Sequence, residues 1–116
     1  MSRMADSASD NAIFMQEINA VFARDIKLQN LLLAKEKLAN SVSAIERGIK
    51  NWKKWEAGYS QKLSEGDGKT TKWETQKEFA LFMQECKKHK LLTVKDELRR
   101  EEFKIQSFIN AGRFAL

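Results

Sequence analysis

The stretch Ser64-Glu-Gly-Asp-Gly-Lys-Thr-Thr71 interrupts the chain and decides its fold. Its centre, Gly66-Asp67-Gly68, is typical of a turn, because glycine adopts backbone conformations that other residues avoid. Thr71-Lys-Trp-Glu74 has the spacing of a capping box, in which the threonine and glutamate side chains satisfy backbone N–H groups at a helix start. We therefore predict a turn over residues 64–71 and a helix that begins at about Lys72.

The residues before the turn carry an apolar stripe with the spacing of a coiled coil. Its members alternate in steps of four and three, and only Glu56 among them is polar. Such a stripe faces one partner helix and predicts a long helix over residues 13–63. Residues 1–12 are small and polar and predict an extended arm. The stripe comprises Leu38, Val42, Ile45, Ile49, Trp52, Glu56, Tyr59 and Leu63, and an earlier register comprises Phe14, Ile18, Val21, Leu28 and Leu32.

The residues after the turn predict a second long helix, over residues 72–110. Gly112 suits the left-handed conformation that ends helices, so we expect residues 111–116 to leave the helix as a short docking tail. The apolar stripe of this second helix comprises Phe79, Ala80, Phe82, Met83, Cys86, Leu91, Val94, Leu98, Ile105 and Phe108.

These elements predict an all-α fold, in which two long helices joined by a glycine-rich turn form an antiparallel helical hairpin or coiled coil. The absence of proline and the 32% of charged residues also favour long helices. The hairpin would carry an extended N-terminal arm and a short C-terminal tail. Folding about Asp67 places Trp52 near Phe82 and Met83, and it leaves Ile13–Val21 without a partner helix.

A single seam between two helices buries a small fraction of the surface of a chain of 116 residues. That seam offers no clear place to bury four aromatic side chains, which are Phe14, Phe22, Trp55 and Trp73. We therefore expect the chain to associate with itself or to lie on a larger assembly.

The net charge of +5 suggests an acidic partner, although a basic surface can also serve solubility alone. Basic residues interleaved with aromatic ones can bind nucleic acid, but no recognised nucleic-acid module is present. A basic face that docks an acidic protein explains the same pattern. The basic patches are Arg47, Lys50, Lys53 and Lys54 around Trp52 and Trp55, and Lys87, Lys88 and Lys90 around His89.

Catalytic, metal and cofactor sites are not predicted. His89 is the only histidine, and Cys86 is the only cysteine, so this chain lacks two of the ligands that zinc requires. The run from Gly66 to Thr71 lacks the spacing of a phosphate-binding loop and has no strand before it. We expect the protein to be cytoplasmic and to have no membrane partner, because the sequence has no apolar run of ~18 residues and no apolar signal core.

The final residues resemble the ending of small ciliary proteins that line the lumen of axonemal doublet microtubules, the microtubule inner proteins. The resemblance covers about a fifth of the chain and lies in Leu98-Arg-Arg-Glu-Glu-Phe103 and Phe108-Ile-Asn-Ala-Gly112-Arg-Phe114-Ala115. Phe103 matches the aromatic position and Phe108-Ile109 the apolar pair of that ending. The chain departs from it in the order of Phe114 and Ala115 and in lacking a glutamate before Asn110.

This resemblance implies a non-enzymatic structural role in the cytoskeleton of the ciliary axoneme, with tubulin and neighbouring structural proteins as partners. The open alternatives are a coiled-coil accessory subunit or tether of another complex, for example a mitochondrial one, and a nucleic-acid-binding helical hairpin. We predict that the partner-binding residues are Trp52, Lys53, Lys54, Trp55, Trp73, Phe103, Phe108, Gly112, Arg113 and Phe114.

Overall fold

The computed structural model describes the backbone of residues 2–115 and the side chains of residues 10–112. It contains two helices, α1 (Ser2–Glu65) and α2 (Thr70–Ala115), which pack side by side as an antiparallel hairpin. The described backbone contains no strand. The predicted all-α helical hairpin is therefore confirmed.

The turn between the helices is shorter than predicted and is built around Asp67. Gly66 and Gly68 have φ angles of 64° and 82°, in the left-handed region that favours glycine. The carboxylate of Asp67 accepts a hydrogen bond from the backbone N–H of Lys69 at 3.0 Å. The carbonyl of Lys69 then accepts the N–H of Trp73 at 3.1 Å, which is the first hydrogen bond of α2.

The predicted capping box at Thr71 and Glu74 is wrong. α2 begins at Thr70, so Thr71 lies within its first turn instead of preceding it. A capping side chain must come from a residue outside the helix. Lys69 precedes the helix instead, and its own backbone N–H is bonded by the Asp67 carboxylate.

The seam between the helices follows the stripe predicted for α1. All eight of its members, from Leu38 to Leu63, are buried or half-buried, and Ile45 and Ile49 lie among the most buried side chains. On α2 the buried apolar side chains among those described are Ala80 and Ile105. Alternating steps of four and three keep these side chains on the facing sides of both helices.

The stripe predicted for α2 is only partly correct, because Phe79, Phe82 and Cys86 are exposed. The seam of α2 follows Ala80, then Gln84 and Lys87, in the same steps of four and three. Gln84 is only 4% exposed, and its side-chain amide donates a hydrogen bond to the Glu56 carboxylate at 2.8 Å. The polar member of the α1 stripe therefore has a polar partner.

Both predicted ends of the hairpin are wrong. Residues 1–12 do not form an extended arm over the described backbone, because α1 begins at Ser2 and no proline or glycine precedes Gly48. The helix likewise continues through Gly112 as far as Ala115, and Gly112 has no positive φ. Gly112 is buried, and a Cβ there would meet the guanidinium of Arg24. Its lack of a side chain thus admits a close neighbour on α1 instead of ending α2.

Candidate protein-docking surfaces

A stack of three aromatic rings lies beside the turn. Trp55 stacks on Tyr59 and Tyr59 stacks on Trp73, with 6.0 Å between ring centroids in both pairs and interplanar angles of 23° and 22°. The indole N–H of Trp73 donates to the carboxylate of Asp67, at 2.9 Å to Oδ2. Trp55 is therefore held by Tyr59 and Tyr59 by Trp73. Trp73 is held by Asp67 of the turn.

Hydrogen bonding lowers the pKa of Asp67 below its ordinary value of 3.8. The largest cause is the hydrogen bond from the Trp73 side chain, followed by the one from the Lys69 backbone N–H. Both donors favour the charged carboxylate. The ionised form of Asp67 is therefore the one that the turn and Trp73 stabilise.

Trp52 and Trp55 lie on different faces of α1, although the sequence predicted both as partner-binding residues. Trp52 faces α2, where its ring meets that of Phe79 edge-on, with centroids 5.5 Å apart. Phe79 lies one helical turn before Phe82, which was the predicted neighbour and is exposed. Trp55 is 58% exposed and offers an indole ring to an external partner.

The basic residues predicted to bind a partner are divided in the same way. Lys53 and Lys54 are exposed on the outer side of α1. Lys87 belongs to the seam, where the end of its side chain packs against Gly48, so the second basic patch is not wholly a surface. Lys72 lies over the ring of Trp73, 4.9 Å from its centroid, and covers part of that indole.

The far end of the hairpin holds Phe108 between two cations of α1. The guanidinium of Arg24 and the ammonium of Lys27 lie 5.6 and 5.4 Å from the centre of its ring. Phe103, five residues earlier on α2, is 73% exposed. The predicted tail residues Arg113 and Phe114 lie outside the described side chains, so their docking stays a prediction.

The most extensive apolar surface lies on the N-terminal part of α1. Because α1 has 64 residues and α2 has 46, α1 is 18 residues longer and extends about 27 Å beyond its partner. Ile18 is half-buried, and so is Leu28, which lines one groove with Phe108 where the seam continues. Large apolar side chains that stay at least half exposed before this point are Ile13, Phe14, Met15, Val21, Phe22 and Ile26.

Sequence reasoning noticed that Phe14 and Phe22 lacked a partner but did not include them in the binding site. The spacing of Phe14, Ile18 and Val21, in steps of four and three, carried that information. It also missed Arg24 and Asp67, whose roles arise from contacts across the hairpin and around the turn. Charged residues are so common in this chain that residue type alone singles out neither Arg24 nor Asp67.

The described part of the molecule has few groups suited to metal binding or catalysis. No group of three or more metal-ligating side chains forms there. Neither helix, over the residues described, has a stretch long and apolar enough to cross a membrane. Cys86 is an exposed free thiol.

Comparison with known proteins identifies no relative. The chain matches no protein-family profile, and no curated protein and no solved structure is significantly similar to it.

Proposed function

We propose that this chain is a non-enzymatic structural protein that becomes part of a larger assembly through the N-terminal part of α1. The observation that supports this role best is the exposed apolar surface from Ile13 to Ile26. Contiguous apolar surface of this kind is typical of protein interaction sites. Phe14, Ile18 and Val21 within it continue the steps of four and three of α1, so a helix or helix-like surface of a partner fits it.

The small core of the hairpin supports the same proposal. Among the described side chains, only Ile45, Ile49, Ala80 and Ile105 are buried apolar residues. Fully burying a large aliphatic side chain contributes about 1.5–3 kcal/mol, whereas ordering the backbone of each residue costs about 1–2 kcal/mol. A hairpin with so few buried side chains gains much of its stability from the surface on which it lies.

Within this class, we propose a microtubule inner protein of the axonemal doublet, with tubulin and neighbouring structural proteins as partners. Two features support the finer assignment. The ending from Leu98 to Ala115 resembles that of such proteins, and the net charge of +5 suits an acidic lattice. Phe103, which occupies the aromatic position of that ending, is available to a partner.

The proposal is tested by the location and retention of a tagged chain in ciliated cells. We expect the tag along the axoneme, and we expect it to remain there after detergent removes the membrane and soluble proteins. Loss of the tagged chain into the detergent extract would contradict a lattice protein. A mitochondrial signal would favour an accessory subunit of an organellar complex, and a nuclear signal would favour nucleic-acid binding.

A matched pair of variants separates docking from general misfolding. Phe14→Gln with Phe22→Gln removes two exposed aromatic side chains from the N-terminal part of α1, and we expect it to lower axonemal retention strongly. Phe82→Gln with Leu92→Gln removes two large exposed apolar side chains from α2 and should lower it less. Equal losses would show that the N-terminal part of α1 is not the main attachment.

A further inference from the structure

We propose that the outer face of α1 from Arg47 to Lys62 is a second docking surface, which binds an acidic protein surface through close approach at Gly58. The inference rests on the proposed structural role for its biological setting, whereas its chemistry rests on this face alone. Its residues are all exposed and lie on the side of α1 away from α2: Arg47, Lys50, Asn51, Lys54, Trp55, Gly58 and Lys62.

Helix geometry gathers these residues into one face. Arg47, Asn51, Lys54 and Gly58 follow one another in steps of four, three and four, which bring successive side chains to the same side of a helix. Trp55 lies at the edge of this line, one turn before Gly58. A partner that lies along α1 therefore meets cations, an indole ring and a glycine in sequence.

The charge of the face determines the partner it fits. Residues 47–54 have the sequence RGIKNWKK, with four basic and no acidic side chains. The nearest acidic residue after them, Glu56, turns towards α2 and accepts the hydrogen bond of Gln84. Among the described side chains, Arg47, Lys50 and Lys54 form no ion pair, whereas Lys62 lies 3.7 Å from Glu65. The face therefore has positive charge available for an acidic partner.

Gly58 is unexplained by the hairpin itself. A glycine inside a helix costs about 1 kcal/mol relative to alanine, and a Cβ built on Gly58 meets nothing within 4 Å. Gly48 and Gly112 differ, because Lys87 and Arg24 pack against them. Over the part of the chain that the structure describes, the missing side chain of Gly58 serves no contact, and it would let a partner backbone come close to the helix.

Trp55 is the anchor that this face presents. Its ring is exposed but stacked on Tyr59, which is stacked on Trp73, so the indole is held in place before a partner arrives. Tryptophan and arginine, present here as Trp55 and Arg47, are enriched among the residues that dominate binding energy in interfaces. Preorganisation lowers the entropy lost when such a side chain binds.

The charge of the face is tested with a fluorescein-labelled glutamate-rich peptide, whose binding to the purified chain is followed by fluorescence anisotropy at low salt. The variant Arg47→Glu/Lys50→Glu/Lys54→Glu should weaken binding at least tenfold. The control Lys88→Glu/Lys90→Glu/Arg100→Glu changes the net charge equally on α2 and should weaken it less than threefold. Equal weakening by the two variants would overturn the proposal, as would tighter binding of a single-stranded oligonucleotide of the same charge.

Close approach at Gly58 is tested by two glycine substitutions measured in two ways. Gly58→Ala and Gly48→Ala both improve helix propensity, and circular dichroism should show Gly58→Ala to be folded and at least as thermally stable as the parent chain. In detergent-extracted ciliated cells, Gly58→Ala should lower retention at least threefold, and Gly48→Ala should not. Full retention of Gly58→Ala would overturn the close approach.

These outcomes remain distinct from failure of the proposed function. If the parent chain binds the acidic peptide through this face but is absent from axonemes, the surface stands and the ciliary location is wrong. If the parent chain is retained in axonemes but the two triple variants bind the peptide equally, the location stands and the surface is wrong.

Discussion

The carboxylate of Asp67 accepts the indole N–H of Trp73 at 2.9 Å, so a turn residue holds the first ring of an aromatic stack that reaches Trp55. The same carboxylate also accepts the backbone N–H of Lys69. The exposed side chain of Asp67 thus links the turn between the helices to the position of the exposed Trp55 ring.

Replacing Asp67 with alanine should lower the thermal midpoint of the hairpin, because both hydrogen bonds to the carboxylate are lost. Asp67→Asn retains one acceptor oxygen and should have a smaller effect. Near-ultraviolet circular dichroism, which reports on tryptophan packing, should lose intensity in Asp67→Ala. An unchanged aromatic spectrum would mean that the stack does not depend on the turn.

Acid should weaken the parent chain through the same residue. The pKa of Asp67 is lower in the folded chain than its ordinary value of 3.8, so its stabilising effect is complete above that value. The effect is lost as the pH falls through the lower, folded pKa. Thermal melts between pH 5 and pH 2, at about one-unit steps, should therefore show a smaller loss of stability in Asp67→Asn than in the parent chain. Parallel losses would assign the acid sensitivity to other carboxylates.

Removing one partner of the hydrogen bond between Gln84 and Glu56 should destabilise the hairpin more than removing both partners. Gln84→Leu leaves the Glu56 carboxylate facing an apolar seam and should destabilise the hairpin by about 1–3 kcal/mol. Gln84→Leu with Glu56→Leu should be neutral or stabilising, since two apolar groups replace two polar ones. Urea unfolding of the four chains measures the coupling, and additive effects would show that the hydrogen bond contributes little.

Gly112→Ala should raise stability less than Gly58→Ala does in the free chain. Both gain up to about 1 kcal/mol of helix propensity. Only the methyl group at Gly112 meets the guanidinium of Arg24, which must move and loses its position over Phe108. Equal gains, measured by thermal melts under the same conditions, would show that Arg24 moves at no cost.

The purified chain should self-associate through the N-terminal part of α1 at micromolar concentration. Phe14→Gln with Phe22→Gln should shift sedimentation velocity profiles towards the monomer, because two large exposed apolar side chains are removed. Phe103→Gln is the control, since Phe103 is also highly exposed but lies on α2. Association that persists in the double variant would locate the contact elsewhere.

The sequence predicts the hairpin and the α1 seam well because their patterns have one interpretation. The steps of four and three from Leu38 to Leu63 fit one helix face, and Gly66-Asp67-Gly68 fits a turn. The face of α2 was harder to predict, since Phe79 and Phe82 offer an apolar alternative to Gln84. Only the contact with Glu56 across the hairpin makes a polar residue the better choice for the seam.

The ends of the helices could not be predicted from local preference alone. Glycine is suited both to ending a helix and to admitting a close neighbour, and Gly112 does the second because Arg24 lies against it. The candidate site shows the same limit. Exposed Trp55 and seam-facing Trp52 are three residues apart in similar surroundings, and only the position of α2 distinguishes them.

The placement of the aromatic stack beside the turn also bears on how the chain folds. Tyr59 and Trp73 are 14 residues apart in sequence, whereas Arg24 and Phe108 are 84 apart, so the first contact closes a far smaller loop. Contacts that are close in sequence form early and at low entropic cost. We therefore expect the hairpin to nucleate at the Asp67 turn and to zip towards its open end, with the register of the whole seam set by its first few residues.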